Sequence, residues 1–374
     1  MDLAVVLLSD QSIPNALFLK DFYDKWDKIL FIETQKTQEK NYSKSILSIL
    51  NKKENDSIVV DQNDLNDIEG KLEEYFSKNS FDNILVNITG GTKIMALGAY
   101  DFFKNHQNLN SSIYYMPINK GYYLNIYPQT PEVYSKYRLS INEYMSAVGI
   151  KITQSAQQLE NKKSKIAKNL FNAFETEYET VLYITEKLRN FRNDGKALKN
   201  IYNDNDAKKA IKDLKAYCGI TQEELDQFDF KNRNVIDFFS GGWFEYFVFE
   251  QLQKLPIYDI KYNVNIEIES NSENNPKVTN ELDVVFIVNN ILHIIECKTG
   301  KVKEIINDTI YKAGQLKQSF GLSANSHLII LNPPSDKISP EKLERAKLFN
   351  IDLIDSEIMK QKSLTEIFKE KLKL

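Results

Sequence analysis

The chain is poor in residues that build covalent or metal-bound frameworks. It has two cysteines, Cys218 and Cys297, and three histidines in 374 residues. Two cysteines so far apart in sequence exclude a disulfide scaffold and a cysteine zinc cluster, and point to a reducing compartment. His106, His293 and His327 show no metal-ligand spacing. There is no surplus of positive charge. Lys and Arg number 48 against 52 Asp and Glu, a net charge of -4. That excludes a uniformly basic coat for nucleic acid but allows a local groove. No stretch approaches the roughly 18 apolar residues of a membrane span. The start, Met1 to Asp10, lacks a basic leader and its apolar run is too short for a signal peptide. The expectation is a cytoplasmic protein with no membrane partner. Internal repeats and low-complexity segments are also missing.

What remains is an ordinary globular composition, 42% hydrophobic and 27% charged, long enough for two or three domains. The most informative stretch is Glu281 to Lys298. It reads as two β-branched strands joined by Asn289-Asn290, residues that tolerate the positive φ of a tight hairpin. With those two as the loop, Val288 faces Ile291, Phe286 faces His293, and Asp283 faces Glu296. Alternation puts Glu296 and Lys298 on one face and Cys297 on the other. Facing carboxylates repel, and a divalent cation between them removes the conflict. His293 and Cys297 read as packing residues. The register also sets Glu281 opposite Lys298, so a cross-strand ion pair competes with a catalytic role for that lysine. Upstream, Glu245 lies in the aromatic helix that begins at Trp243, where a lone carboxylate needs a reason. Hydrolysis of a phosphodiester calls for a hard cation on oxygen ligands, an oriented water and a positive charge near the phosphate. Asp283, Glu296 and Lys298 are of those types.

The first 135 residues alternate apolar strands with helices, the pattern of a Rossmann-like α/β domain. Two loops follow strands there: Ser9-Asp10-Gln11 after Leu3 to Leu8, and Thr89-Gly90-Gly91-Thr92-Lys93 after Ile84 to Ile88. Glycines permit close backbone approach, and amides at a helix start favour phosphate. The GxxxxGK[ST] spacing of a Walker loop is absent. An ordinary tight turn and a ligand crevice both fit this spacing. Residues 138 to 225 read as helical with no clear strand and no chemistry. Leu139 to Ile152 forms either connector or a helix-turn-helix-like piece, and 203 to 206 is a surface loop. Residues 271 to 280 read as a polar loop. Helices are expected over 304 to 320 and 340 to 348, with a strand at Leu328 to Leu331.

Asp283-x12-Glu296-x-Lys298 on a hairpin resembles the PD-(D/E)xK nuclease superfamily over residues 235 to 335, although Leu282 stands where that family has proline. The resemblance implies that Glu245 completes the metal shell, and that Tyr311 or Gln315 on the next helix positions substrate. Strand-Thr89-Gly90-Gly91-Thr92-Lys93-helix is similar to the CARF domains of type III CRISPR effectors. Together the two resemble the CRISPR ancillary nucleases activated by cyclic oligoadenylate. The implied architecture is α/β: a CARF domain over 1–137, a helical connector over 138–230, and a restriction-endonuclease-like α/β/α domain over 231–374. The implied protein is a homodimer that uses Mg or Mn, held by Asp283, Glu296 and Glu245, with Lys298 and Gln315 completing the catalytic set. Cyclic tetra-adenylate would bind at Ser9, Asp10, Gln11, Thr89, Gly90, Gly91, Thr92 and Lys93. Substrates would be single-stranded DNA or RNA and supercoiled DNA. Two other readings stay open: a regulator with an inactive nuclease-like domain, and a restriction- or repair-type DNA endonuclease.

Overall fold

A computed structural model describes residues 1–51, 54–193, 198–268, 278–321 and 323–374. The N-terminal strands are β1 (Leu3–Leu7), β2 (Lys28–Glu33), β3 (Asn55–Val59), β4 (Ile84–Asn87), β5 (Ser111–Tyr115), β6 (Tyr122–Tyr127) and β7 (Gln129–Tyr134). They form one sheet in the order β3-β2-β1-β4-β5-β6-β7. β1 to β5 pair in parallel, and β6 and β7 extend the sheet as an antiparallel edge. β1 is buried along its whole length, as its unbroken apolar run requires. Helices cover both faces. Ile13–Asp21 begins with proline in its first turn on one side. Leu65–Lys78, capped by Asp64, and Lys93–Asn105, capped by Thr92, lie on the other. β7 was not expected; its sequence is polar and it is largely exposed.

The C-terminal sheet contains β8 (Ile150–Ala156), β9 (Asp259–Ile268), β10 (Val278–Val288), β11 (Ile291–Thr299), β12 (Asn325–Leu331) and β13 (Ile351–Asp355), in the order β13-β12-β11-β10-β9-β8. β8 to β11 are antiparallel, and β11 to β13 are parallel. β8 corrects the expectation of a strand-free stretch over 138–225. It is an edge strand that turns only Ile150 and Ile152 inward before a polar end, too few apolar positions for alternation to register. Leu139 to Ile152 is accordingly neither helix-turn-helix nor plain connector. It is the helix Ile141–Ala147 followed by a glycine turn into β8. The loop expected at 203–206 is instead a helix start, with Asp204 capping Asn205–Tyr217. Of the polar loop expected at 271–280, residues 271–277 lie outside the described residues, and 278–280 belong to β10. Among the described residues no helix is long and apolar enough to cross a membrane.

The hairpin β10–β11 sits between two cores. Val284, Phe286, Ile295 and Cys297 pack with the aromatic helix Trp243–Gln253 and with helices Asn161–Thr176 and Leu364–Leu372. Val285, Ile287, Leu292 and Ile294 belong to a core that also holds Phe18, Trp26 and Tyr144 of the N-terminal half. Each such large side chain contributes about 1.5–3 kcal/mol by burial, so the two halves share a continuous apolar interior. Hydrogen bonds fasten the joint. Asn289 and Asn290 have φ of 52° and 61°, as the sequence suggested. Asn290 accepts from the Leu139 amide at 2.9 Å and donates to the Tyr137 carbonyl at 2.8 Å. Tyr137 is in turn held by Asp21 and Lys20 at the end of the first helix.

Candidate active site

The hairpin register is as read from the sequence, from Val288 with Ile291 to Val284 with Ile295. Asp283 follows the last of these pairs. One oxygen of its carboxylate accepts the Cys297 amide at 2.6 Å. Asp283 is 7% exposed, so this carboxyl is sealed from water. Glu296 and Lys298 share a face, and their side chains form an ion pair at 2.7 Å. The lysine therefore pairs with the glutamate two residues back. Glu281, the competing partner, lies beside Asn265 of β9 in the ladder.

Glu245 enters from the first turn of Trp243–Gln253. Burial, with Glu281 and Glu296 nearby, raises its carboxyl to about 7 against the pull of Lys298 and Arg189. Burial and the repulsion of Glu245 and Glu296 push Asp283 well above the usual carboxylate range. Burial pulls the Lys298 ammonium down, but attraction to Asp283 and Glu296 more than offsets it and leaves lysine above its ordinary value. Three carboxylates and one cation thus act on one another at a partly buried corner, where their interactions are stronger than in open water.

Among the described residues no three His, Cys, Asp or Glu side chains converge as a ready cage for a metal ion. The donor chemistry nevertheless suits a hard divalent cation, because the available groups are carboxylate oxygens that destabilise one another until positive charge arrives. Among the described residues, no hydrogen bond joins Gln315 or Tyr311 to Asp283, Glu296, Glu245 or Lys298. Both lie on the helix Val302–Gln318, four residues apart and exposed. Tyr311 stacks edge-on against Phe349 at 5.4 Å. Ile306 and Ile310 take the buried face instead.

His293 and Cys297 are buried, as expected. His293 also bonds His327 at 3.0 Å, and His327 bonds Asp352 at 3.0 Å. Burial and the neighbouring His327 bring His293 down to about 3, so it is neutral.

Glu245 offers a stability test with a definite sign. Its proton is held more tightly in the folded chain than in the unfolded one. The stability it contributes is therefore fully present below the unfolded value of 4.5 and is lost as pH rises through about 7. In metal-chelating buffer, Glu245→Gln should raise Tm at about pH 8 and leave it unchanged at about pH 4, a gain of at most about 3 kcal/mol. Matching melting curves for variant and parent at the higher pH contradict this electrostatic picture.

In the N-terminal half, the loops after β1 and β4 meet. Asn15 donates to the Leu7 carbonyl at 2.8 Å and accepts from Asn87 at 2.8 Å. Thr89 bonds Asn87 through its hydroxyl at 2.6 Å and takes the Met116 amide at 2.8 Å. Gly91 has φ of 73°, and Gly90 lies against the Leu7 carbonyl. Thr92 is committed to capping, and Lys93 is exposed at the helix start. Ser9 accepts the Gln11 amide at 3.2 Å. Asp10 is held by Lys40 at 2.8 Å and by the Tyr42 hydroxyl at 2.6 Å, with Lys36 at 3.6 Å. These donors, Lys40 first, bring its carboxyl down to about 2. Lys36, Lys40 and Tyr42 are members of this crevice that sequence reasoning missed. No motif marks them, since they arrive from the short helices after β2. Gln11 reaches across to the C-terminal half, where a Cβ on Gly321 would lie 3.6 Å from its side-chain oxygen.

Fold and site together define a Rossmann-like sensor domain joined to an endonuclease-like α/β domain. Residues 3–144 match the family described as Card1 CARF domain, and residues 232–372 that described as Card1-like, endonuclease domain. The two matches together span most of the chain, which therefore belongs to the Card1-like proteins, a CARF domain followed by an endonuclease domain. Among solved structures, it is similar to protein VC1899 from Vibrio cholerae, with a TM-score of 0.77 and 20% identity over 100% of this chain and 98% of that one. It is also similar to Can2 from Sulfobacillus thermosulfidooxidans in complex with cyclic tetra-adenylate, at 0.72 and 22%, over 99% of both. A type III CRISPR defence DNA nuclease activated by cyclic oligoadenylate matches at 0.53 and 15%, over 92% of this chain and 51% of that one. These likenesses are of fold. No curated protein sequence matches.

Proposed function

We propose that this chain is a homodimeric, metal-dependent endonuclease that cyclic tetra-adenylate switches on. Its substrates are the phosphodiester bonds of single-stranded DNA and RNA and of supercoiled DNA, which it nicks. The observation that carries this reading is the cluster of buried Asp283 with the Glu296–Lys298 ion pair and Glu245, on one chain with the joined loops after β1 and β4. Asp283 and Glu296, with Glu245, would hold Mg or Mn. When bound, that cation supplies Lewis acidity and a more acidic water. Attraction to Asp283 and Glu296 favours the charged form of Lys298, which would hold Glu296 in place and offset negative charge on the phosphate.

The activator site consists of Ser9, Asp10, Gln11, Thr89, Gly90, Gly91, Thr92 and Lys93, joined by Lys36, Lys40 and Tyr42. Asp10 occupies the lysines in this structure, and an activator phosphate would compete for the same donors. Can2, the similar structure, holds the cyclic tetramer. A ring with two-fold symmetry suits an isologous interface. The signal has a short route through Gln11 beside Gly321 and through the shared core behind the hairpin. Activation requires tighter binding to the competent arrangement than to the idle one.

Titration calorimetry should give one cyclic tetra-adenylate ring per two chains. A ring concentration about 100 times Kd should add about 2.7 kcal/mol of stability. One ring per chain removes the shared dimer site, and an absence of binding removes the activator.

A further inference from the structure

The nuclease cluster has an imbalance. Glu245, Asp283, Glu296 and Glu281 act on one another, while Lys298 is already spent on Glu296. Nucleic acid arrives as a chain of anions, so a further cation beside the cluster is needed to receive it. The helix Tyr178–Asn193 brings one from the stretch that looked chemically silent in sequence. Its apolar face, Val181, Ile184 and Leu188, is buried, while Arg189 next to Leu188 is exposed. Arg189 Nη2 donates to the Ser240 carbonyl at 3.0 Å. Gly241 follows with φ of 152°, and a Cβ there would lie 3.4 Å from that nitrogen. Arg192, one turn on, pairs with Asp237 at 2.9 Å. Both arginines thus grip the turn that launches the Glu245 helix. Arg189 is the second cation, with Lys298, whose field lowers the Glu245 carboxyl.

We propose that Arg189 is a substrate-binding residue, whose guanidinium takes a backbone phosphate of single-stranded nucleic acid on the Glu245 side of the cluster. A guanidinium has five N–H donors in a planar fork, and among the described residues one hydrogen bond, to Ser240, is formed. The fork matches phosphate and stays charged. Arg192 is the strut, because its charge is met by Asp237. This inference rests on the nuclease reading and deepens it by naming where the strand lies.

The test is the Kd of a single-stranded DNA oligonucleotide and of an RNA of the same sequence, measured by fluorescence anisotropy across a range of potassium chloride. Cyclic tetra-adenylate is present, and the full chain carries Glu296→Gln to stop cleavage. Arg189→Gln keeps an amide to donate to Ser240 and loses the charge. It should raise Kd about ten-fold on both strands and reduce the slope of log Kd against log salt by about 0.7, one phosphate contact. Arg192→Gln should leave the slope unchanged. Arg189→Lys, which keeps the charge, should keep the slope even if the glutamine variant does not fold. An unchanged slope in Arg189→Gln, a reduced slope in Arg189→Lys, an equal effect from Arg192→Gln, or an effect on RNA alone overturns the proposal. Arg189-dependent binding by a chain that cleaves nothing would remove the nuclease reading and leave this contact. Cleavage with an unchanged slope would do the reverse.

Discussion

Glu296→Gln should lower activated cleavage by at least about 10²-fold while leaving the fold intact. Glu296 holds Lys298 at 2.7 Å and adds to the repulsion that burdens Asp283. Replacing its charge with an amide of the same shape removes a cation ligand and lets Lys298 turn toward Asp283. The same change relieves one of the crowded carboxylates. Tm should therefore hold or rise as cleavage disappears, and affinity for cyclic tetra-adenylate should stay at the parent value. That combination separates a catalytic role from a structural one, since a residue kept for packing loses stability when replaced. Cleavage within a few-fold of the parent would remove Glu296 from the machinery.

Gly90→Ala should have the opposite signature, with activation lost at a cost in stability. A Cβ at this position would sit 2.0 Å from the Leu7 carbonyl oxygen and 3.0 Å from Asn15 Nδ2. The first neighbour is backbone, so the loops after β1 and β4 must part. The bonds from Asn15 to Leu7 and Asn87 go with them. Overpacking of this kind costs about 1–3 kcal/mol. The larger consequence falls on the crevice, whose two sides no longer meet, and the stabilisation by cyclic tetra-adenylate should vanish. Gly70 provides the control. It lies exposed in the helix Leu65–Lys78 with nothing within 4 Å of an added Cβ. Gly70→Ala should stabilise by about 0.8–1 kcal/mol through helix propensity and leave activation unchanged. An activator-dependent shift that survives in Gly90→Ala means the ring binds elsewhere.

The parts of this protein that were legible in sequence are those whose cause is local. Asn289-Asn290 announces its turn through positive φ, and with the turn placed, period-two alternation gives the observed pairing from Val288 with Ile291 back to Val284 with Ile295. The unbroken apolar run of β1 fixes a buried parallel strand. Contacts set by tertiary approach were not legible. Lys298 could not be assigned between a catalytic role and an ion pair with Glu281, and its observed partner, Glu296, was not foreseen, because side-chain reach along a strand competes with reach across it. Gln315 followed from a family pattern and not from its own surroundings, which leave it exposed on the same helix as Tyr311. β8 hid behind polar residues at an edge, where one apolar pair suffices. Arg189 and Lys40 carry no motif, because their roles come from what the folded chain sets beside them.

The most direct test of the whole account is cleavage of single-stranded RNA, single-stranded DNA and supercoiled plasmid by the purified chain, with Mg or Mn, and with and without cyclic tetra-adenylate. Metal-dependent cleavage that appears only when the ring is present is the expected result. Equal cleavage in both conditions contradicts the switch, and no cleavage in either contradicts the nuclease.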